Sequence, residues 1–136
     1  MPNSEVEDVF ELLYRCRKTR RAAKLLIEWL ISRGGYATPS KLSNFAWNLQ
    51  KGAVEKGFHY RRSSLYRTVL KRLTTFGFIN FQQVYCKETG RVVQAYILLR
   101  QPIPKRSPLG GKSFWKIAWH VCRNWNKMIE QAMDEG

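Results

Sequence analysis

The stretch from Ser63 to Gly77 holds the residues best suited to chemistry. At about 100° per residue, Ser64, Arg67, Thr68, Lys71 and Thr74 fall on one side of a helix. They are cationic and hydroxyl donors, and no acid occurs anywhere in the stretch. Donors of this kind hold anionic oxygen, phosphate above all. On the opposite side, Val69, Leu73 and Phe76 lie within about 80° of Leu65, and Leu70 and Tyr66 broaden the apolar arc. The pattern predicts a helix capped by Ser63-Ser64 and stopped by Gly77, with one packing face and one cationic face.

Other chemistries find less support. Seven of the ten carboxylates sit at the two ends of the chain. There is no Gly-rich phosphate loop and no Ser-His-Asp or Cys-His layout with a supporting context, so an enzyme is not expected. Cys16, Cys86 and Cys122 are odd in number and widely spaced, which implies no disulfide framework. They are expected to be buried small hydrophobes. His120-x-Cys122 is no adequate metal half-site, and His59 has no thiol or second His nearby. No metal, cofactor or small-molecule ligand is therefore expected.

The elements that position the cationic face can be read on either side of it. Ser4 can cap a first helix with Glu5, Glu7 and Asp8 in its opening turn, followed by Val6, Val9, Phe10 and Leu13 at helical spacing. After the basic run Arg15–Arg21, Thr19 can restart a helix with Ala23, Leu26, Ile27 and Leu30 on one face and Leu25 and Trp29 beside them. Residues 4–33 fit either one bent helix or two. Gly34-Gly35 ends that stretch. Thr38-Pro39-Ser40 opens the next helix, with Leu42, Phe45, Ala46 and Leu49 buried and a continuation through Ala53 to Lys56 possible. Gly57 to Arg62 connects to the third helix, longer than a minimal helix-turn-helix turn. Phe78 to Tyr85 and Arg91 to Leu99 read as strands joined by a hairpin turn at Cys86-Lys87-Glu88-Thr89-Gly90. Arg100 to Lys112 is a basic Pro/Gly linker, and a last amphipathic helix runs from about Ser113 to Met133.

All 24 Lys and Arg of the 136-residue chain fall between Arg15 and Lys127, where only Glu28, Glu55 and Glu88 oppose them, a net +21. A body so charged attracts polyanions, of which nucleic acid is the commonest in a cell. Apolar residues at 44% and aromatics at 13% exclude a disordered polypeptide. No stretch approaches the roughly 18 apolar residues of a membrane span, and the N-terminus lacks a signal-peptide layout. The expectation is a cytoplasmic protein, nucleoid-associated or nuclear according to host, with no membrane partner.

Residues 63–99 resemble the winged helix-turn-helix transcriptional regulators. The likeness rests on Ser63-Ser64-Leu65-Tyr66-Arg67-Thr68-Val69-Leu70-Lys71-Arg72-Leu73, then Gly77-Phe78-Ile79, and on Gly90-Arg91-Val92-Val93-Gln94-Ala95-Tyr96 as a wing. It extends to about 80 residues if Thr19–Arg33 and Thr38–Lys51 are the first two helices. The implied fold is mainly α with a small β-hairpin: an N-terminal helix (1–18), the winged helix-turn-helix (19–100), the linker (101–112) and a C-terminal helix (113–136).

The resemblance implies that the third helix enters the major groove of double-stranded DNA and the wing reaches the adjacent backbone. Ser64, Arg67, Thr68 and Lys71 would face the groove, Arg67 reading a guanine edge with two bonds. Arg61, Arg62 and Arg72 would hold phosphates, as would Lys87 and Arg91 on the wing and Ser40 and Lys41 at a helix start. Tyr66 is expected to pack. The terminal helix, with Phe114, Ala118, Val121, Trp125 and Ile129 on one face, is expected to form a homodimer, the alternative being that it packs on its own domain. A transcriptional regulator is the leading expectation. The alternatives are a replication, partition or chromatin-type binder of low specificity, and a winged helix that docks an acidic protein.

Overall fold

Small and branched apolar side chains at three- and four-residue intervals build the first helix of the body, α1 (Arg17–Ser32), which buries Thr19, Ala22, Ala23, Leu25, Leu26, Ile27 and Leu30. The computed structural model describes residue 10 and residues 13–87, 89–99 and 122–130. Phe10 and Leu13 are helical, and the chain leaves the helix at Tyr14 and re-enters it after Cys16. Residues before and after this break therefore belong to two helices. The second begins at Arg17, two residues ahead of the expected restart at Thr19. Arg20 Nε donates to Tyr14 O at 2.7 Å and ties the break to the first turn of α1.

Gly34 and Gly35, with φ of 85° and 93°, turn the chain out of α1. Two residues later it forms a strand absent from the sequence reading. This is β1 (Tyr36–Ala37), paired antiparallel with the later strand β3 (Arg91–Leu98) as Tyr36↔Ile97 and Ala37↔Tyr96. A two-residue strand is too short to show an alternating pattern. The expected two-stranded ribbon is accordingly an antiparallel sheet of three, in the order β1-β3-β2, with β2 spanning Ile79–Cys86. The β2–β3 register runs from Ile79↔Leu98 to Cys86↔Arg91 without interruption.

The second helix, α2 (Pro39–Lys51), starts with Pro39 in its first turn after Thr38 and buries Leu42, Phe45, Ala46 and Leu49. It ends at Gly52, whose φ of 83° is left-handed; a Cβ there would also lie 2.5 Å from the His59 ring. The possible continuation to Lys56 is not helical. Residues 52–61 form a ten-residue connection instead, closed by a bridge between Glu55 and Phe58. Arg21 pairs with Glu55, its Nε donating to Oε2 at 2.9 Å, and so fastens this connection to α1.

The third helix, α3, is continuous but not uniform. Arg62–Ser64 and Lys71–Thr75 are α-helical, and Leu65–Leu70 between them is π-helical. Its N-cap position is Arg61, and no side chain of its own caps it. Ser63 and Ser64 lie inside the first turn rather than at the cap. The Arg62 N–H is satisfied from α2, by Gln50 Oε1 at 2.9 Å.

One core joins all of these elements. Phe10, Leu13 and Tyr14 from the N-terminal side, and Trp125 and Ile129 from the helical residues 122–130, belong to the same buried cluster as α1, α2, α3 and the sheet. Trp125 is fully buried; its Nε1 donates to Leu99 O at 2.7 Å and its ring meets Phe78 edge-on at 4.7 Å. Two residues expected on the dimer face thus pack within the chain itself. Trp125 and Ile129 are committed to their own chain, while Phe114, Ala118 and Val121 lie outside the described residues. Cys86 is buried as expected and Cys122 half-buried, but Cys16 is exposed because it sits at the start of α1. Among the described residues no helix is long and apolar enough to cross a membrane.

Candidate functional site

The π-helical turn decides which side chains α3 presents. In a regular α-helix starting from Leu65, Leu70 would lie about 140° away and Phe76 about 20° away. One residue added to a turn delays everything after it by about 100°. Leu70 thereby rotates onto the packing face and Leu73 towards its centre, and they are 5% and 0% exposed. Phe76 rotates off it and is 58% exposed, which corrects its expected place in the core.

The same rotation rebuilds the opposite face. Arg72, which regular geometry would aim at the core, emerges into solvent, as does Thr75. Ser64 and Thr74, expected on the exposed side, are half-buried. What results is an acid-free surface of Arg67, Thr68, Lys71, Arg72 and Thr75, which with Phe76 line a shallow depression of about 310 Å³. Thr68 and Arg72 continue into a second depression of about 480 Å³ with Tyr14, Arg15, Cys16 and Thr19.

Residues behind α3 hold this arrangement. The Tyr14 hydroxyl donates to Val69 O at 2.6 Å, inside the π-helical turn. Burial pushes the Tyr14 phenol well above its ordinary pKa, against the opposing pull of the Arg72 guanidinium, so it remains a donor. Arg72 lies over the Tyr14 ring, 5.8 Å from its centroid, and donates to Leu13 O. The Thr74 and Thr75 hydroxyls both donate to Lys71 O, at 2.9 and 2.7 Å. Arg72 thus braces the N-terminal segment as well as facing outward.

The remaining expected site residues are scattered. Arg61 is exposed at the start of α3. Arg62 is half-buried between two rings, 5.2 Å from the Trp47 centroid and 5.1 Å from that of Tyr66, and its Nη2 reaches Ser43 Oγ at 3.5 Å. Its chief role is to bind α2 to α3. Tyr66 packs against the core as expected. Ser40 is exposed, and Lys41 lines a separate groove of about 580 Å³ between α1 and α2 with Trp29, Arg33 and Phe45. Lys87 and Arg91 are exposed at the far end of the hairpin.

Arg15 and Thr75 were missed as surface partners of Arg67. Arg15 stood out only as part of a basic run, and Thr75 reaches the face only through the π-helical turn. Cys16 also lines this surface; the backbone N–H groups of Thr19 and Lys18 hold its thiol below the ordinary pKa. Comparisons with protein-family models, with curated proteins and with solved structures return no match.

Proposed function

We propose that this chain binds double-stranded DNA as a winged helix, with α3 in the major groove and the β2–β3 hairpin as the wing. The observation that carries this reading is the separation of α3 into a sealed apolar face and an acid-free face of Arg67, Thr68, Lys71, Arg72 and Thr75. The order helix, short strand, helix, helix, strand, strand, with the short strand beside β3, fits the architecture. Arg67 is the residue best placed to read a base edge. Lys71, Arg61 and Arg15 supply phosphate contacts, with Lys87 and Arg91 reaching the backbone from the wing. The leading role is that of a transcriptional regulator. Exposed Arg15, Arg17 and Lys18 beside the same surface favour, as a second reading, a binder of low sequence specificity.

Titration of a labelled duplex at several salt concentrations tests the proposal. Tight binding at low salt is expected, with log K falling by about 0.9 per phosphate contact for each tenfold rise in salt. Lys71→Ala should weaken all sequences alike and flatten the salt slope by about one contact. Arg67→Ala should cost about 1–3 kcal/mol on a selected sequence. An equal loss on random DNA would favour the low-specificity reading. Absence of duplex binding at about 50 mM salt would end both.

A further inference from the structure

The sheet carries an exposed face that duplex binding by α3 does not use. Cross-strand pairing places Phe81 opposite Tyr96, Gln83 opposite Gln94 and Tyr85 opposite Val92, all on one face. Near the body this face begins with the buried pair Ile79 and Leu98. Further out no described residue covers it: Phe81 is 42%, Tyr85 62% and Val92 63% exposed. Exposed aromatic side chains gathered on one face mark a binding surface. They suit nucleobases, whose flat faces stack on aromatic rings and whose edges hydrogen-bond to amides.

Charge identifies the rest of the occupant. Neither strand contains an acid, Lys87 and Arg91 flank the turn, and Glu88 within the turn is the only acid of the hairpin sequence. Arg62 lies between Trp47 and Tyr66. Tyr66 also lies close to Tyr96, whose phenol is pushed up first by burial and then by that neighbour. Tyr66 belongs to the helix that bears Arg67. Alternate residues of a strand are spaced at about 6.8 Å, twice the roughly 3.4 Å rise of stacked bases. Only an unpaired, splayed strand can match that spacing.

We propose that the outer face of the β2–β3 hairpin stacks the bases of an unpaired DNA strand next to a duplex held by α3, so that the preferred ligand is a duplex–single-strand junction. This rests on the duplex reading for α3 and adds a second, separable contact. The chemistry is recognition alone; no bond is made or broken.

The full chain is titrated with a blunt duplex of about 16 base pairs and with the same duplex carrying a tail of about eight thymidines. The tail is expected to tighten binding roughly tenfold. Phe81→Leu with Tyr85→Leu keeps apolar bulk but removes the rings, and should erase that gain while leaving blunt-duplex affinity unchanged. Tyr85→Phe should keep it. Arg67→Ala should weaken blunt and tailed duplexes by the same factor. Circular dichroism checks that each variant is folded. A tail that adds nothing, or a gain that survives loss of both rings, overturns the junction proposal while the duplex reading stands. If neither DNA binds, the duplex reading falls with it. If the leucine pair alters sedimentation but not the tail's effect, the face joins two copies of this chain and the proposal is overturned.

Discussion

Tyr14 is the side chain on which the geometry of α3 turns. Its hydroxyl donates to the Val69 carbonyl within the π-helical turn, and its ring lies beneath Arg72. Tyr14→Phe keeps the ring and removes this buried hydrogen bond to Val69 O. The expected cost is about 1–2 kcal/mol of stability, measured by denaturant unfolding. The same phenol gives a pH signature. Its folded pKa is raised above the ordinary 10.0 of an unfolded chain. Its contribution is therefore fully present below about pH 10 and declines as pH rises beyond that value. Alkaline unfolding monitored by circular dichroism should begin near pH 10 and lose much of its steepness in Tyr14→Phe. A residue on the cationic face such as Thr68 should show neither effect when replaced.

Among the elements, α3 shows how a local irregularity sets a surface. A π-helical turn houses one residue more than an α-helix requires. Deleting Thr68, which is exposed within Leu65–Leu70, should therefore leave a regular helix with Leu65, Val69, Leu70 and Leu73 still on the packing face. Thermal unfolding should stay cooperative, with a midpoint lowered by no more than a few degrees. Deletion of Ser43 from α2 has no surplus residue to absorb it. It would turn Phe45, Ala46 and Leu49 by about 100° away from the core, and loss of cooperative unfolding is expected. If both deletions unfold the chain alike, the surplus-residue account of α3 is wrong.

The legibility of these elements in the sequence follows from the same physics. The stripes of α1 and α2 and the alternation and turn of the hairpin are strong periodic signals, and the structure contains all four elements near their expected places. The π-helical turn is invisible to a fixed step of about 100°, which is why Phe76 was put in the core and Arg72 was not placed beside Arg67. The strand β1 is too short to have a period, and its pairing with β3 joins residues about 60 positions apart in a register only the folded chain defines. For the site, residue types pointed to Arg67, Thr68 and Lys71, but Arg62 and Lys41 were assigned by charge. Their surroundings, two aromatic rings for one and a groove on α1 for the other, come from tertiary packing.

At the scale of the whole molecule, the ends of the described chain are part of its core. Trp125 closes the space between Phe78 and the end of β3, and its indole N–H is used within the chain. Trp125→Ala should cost about 3–5 kcal/mol, visible as a large fall in unfolding midpoint. Because this side chain is buried in a single copy, that fall should be the same at low and high protein concentration. A midpoint that rises with concentration in the parent chain and not in the variant would support the dimer seam instead. The acids and bases meet at the same scale: Glu55 of the connection after α2 is held by Arg21 of α1.

The surplus residue of α3 also has a mechanical meaning. Such a residue is a defect in a regular screw, and a defect can migrate along its helix one turn at a time without the helix ever melting. Each step would spin the intervening segment by about 100° and exchange an outward arginine for an inward leucine. The Tyr14 hydroxyl is the detent that stops this: by claiming the Val69 carbonyl, a segment outside the helix selects one setting of the screw and, with it, the side chains the molecule shows to its surroundings.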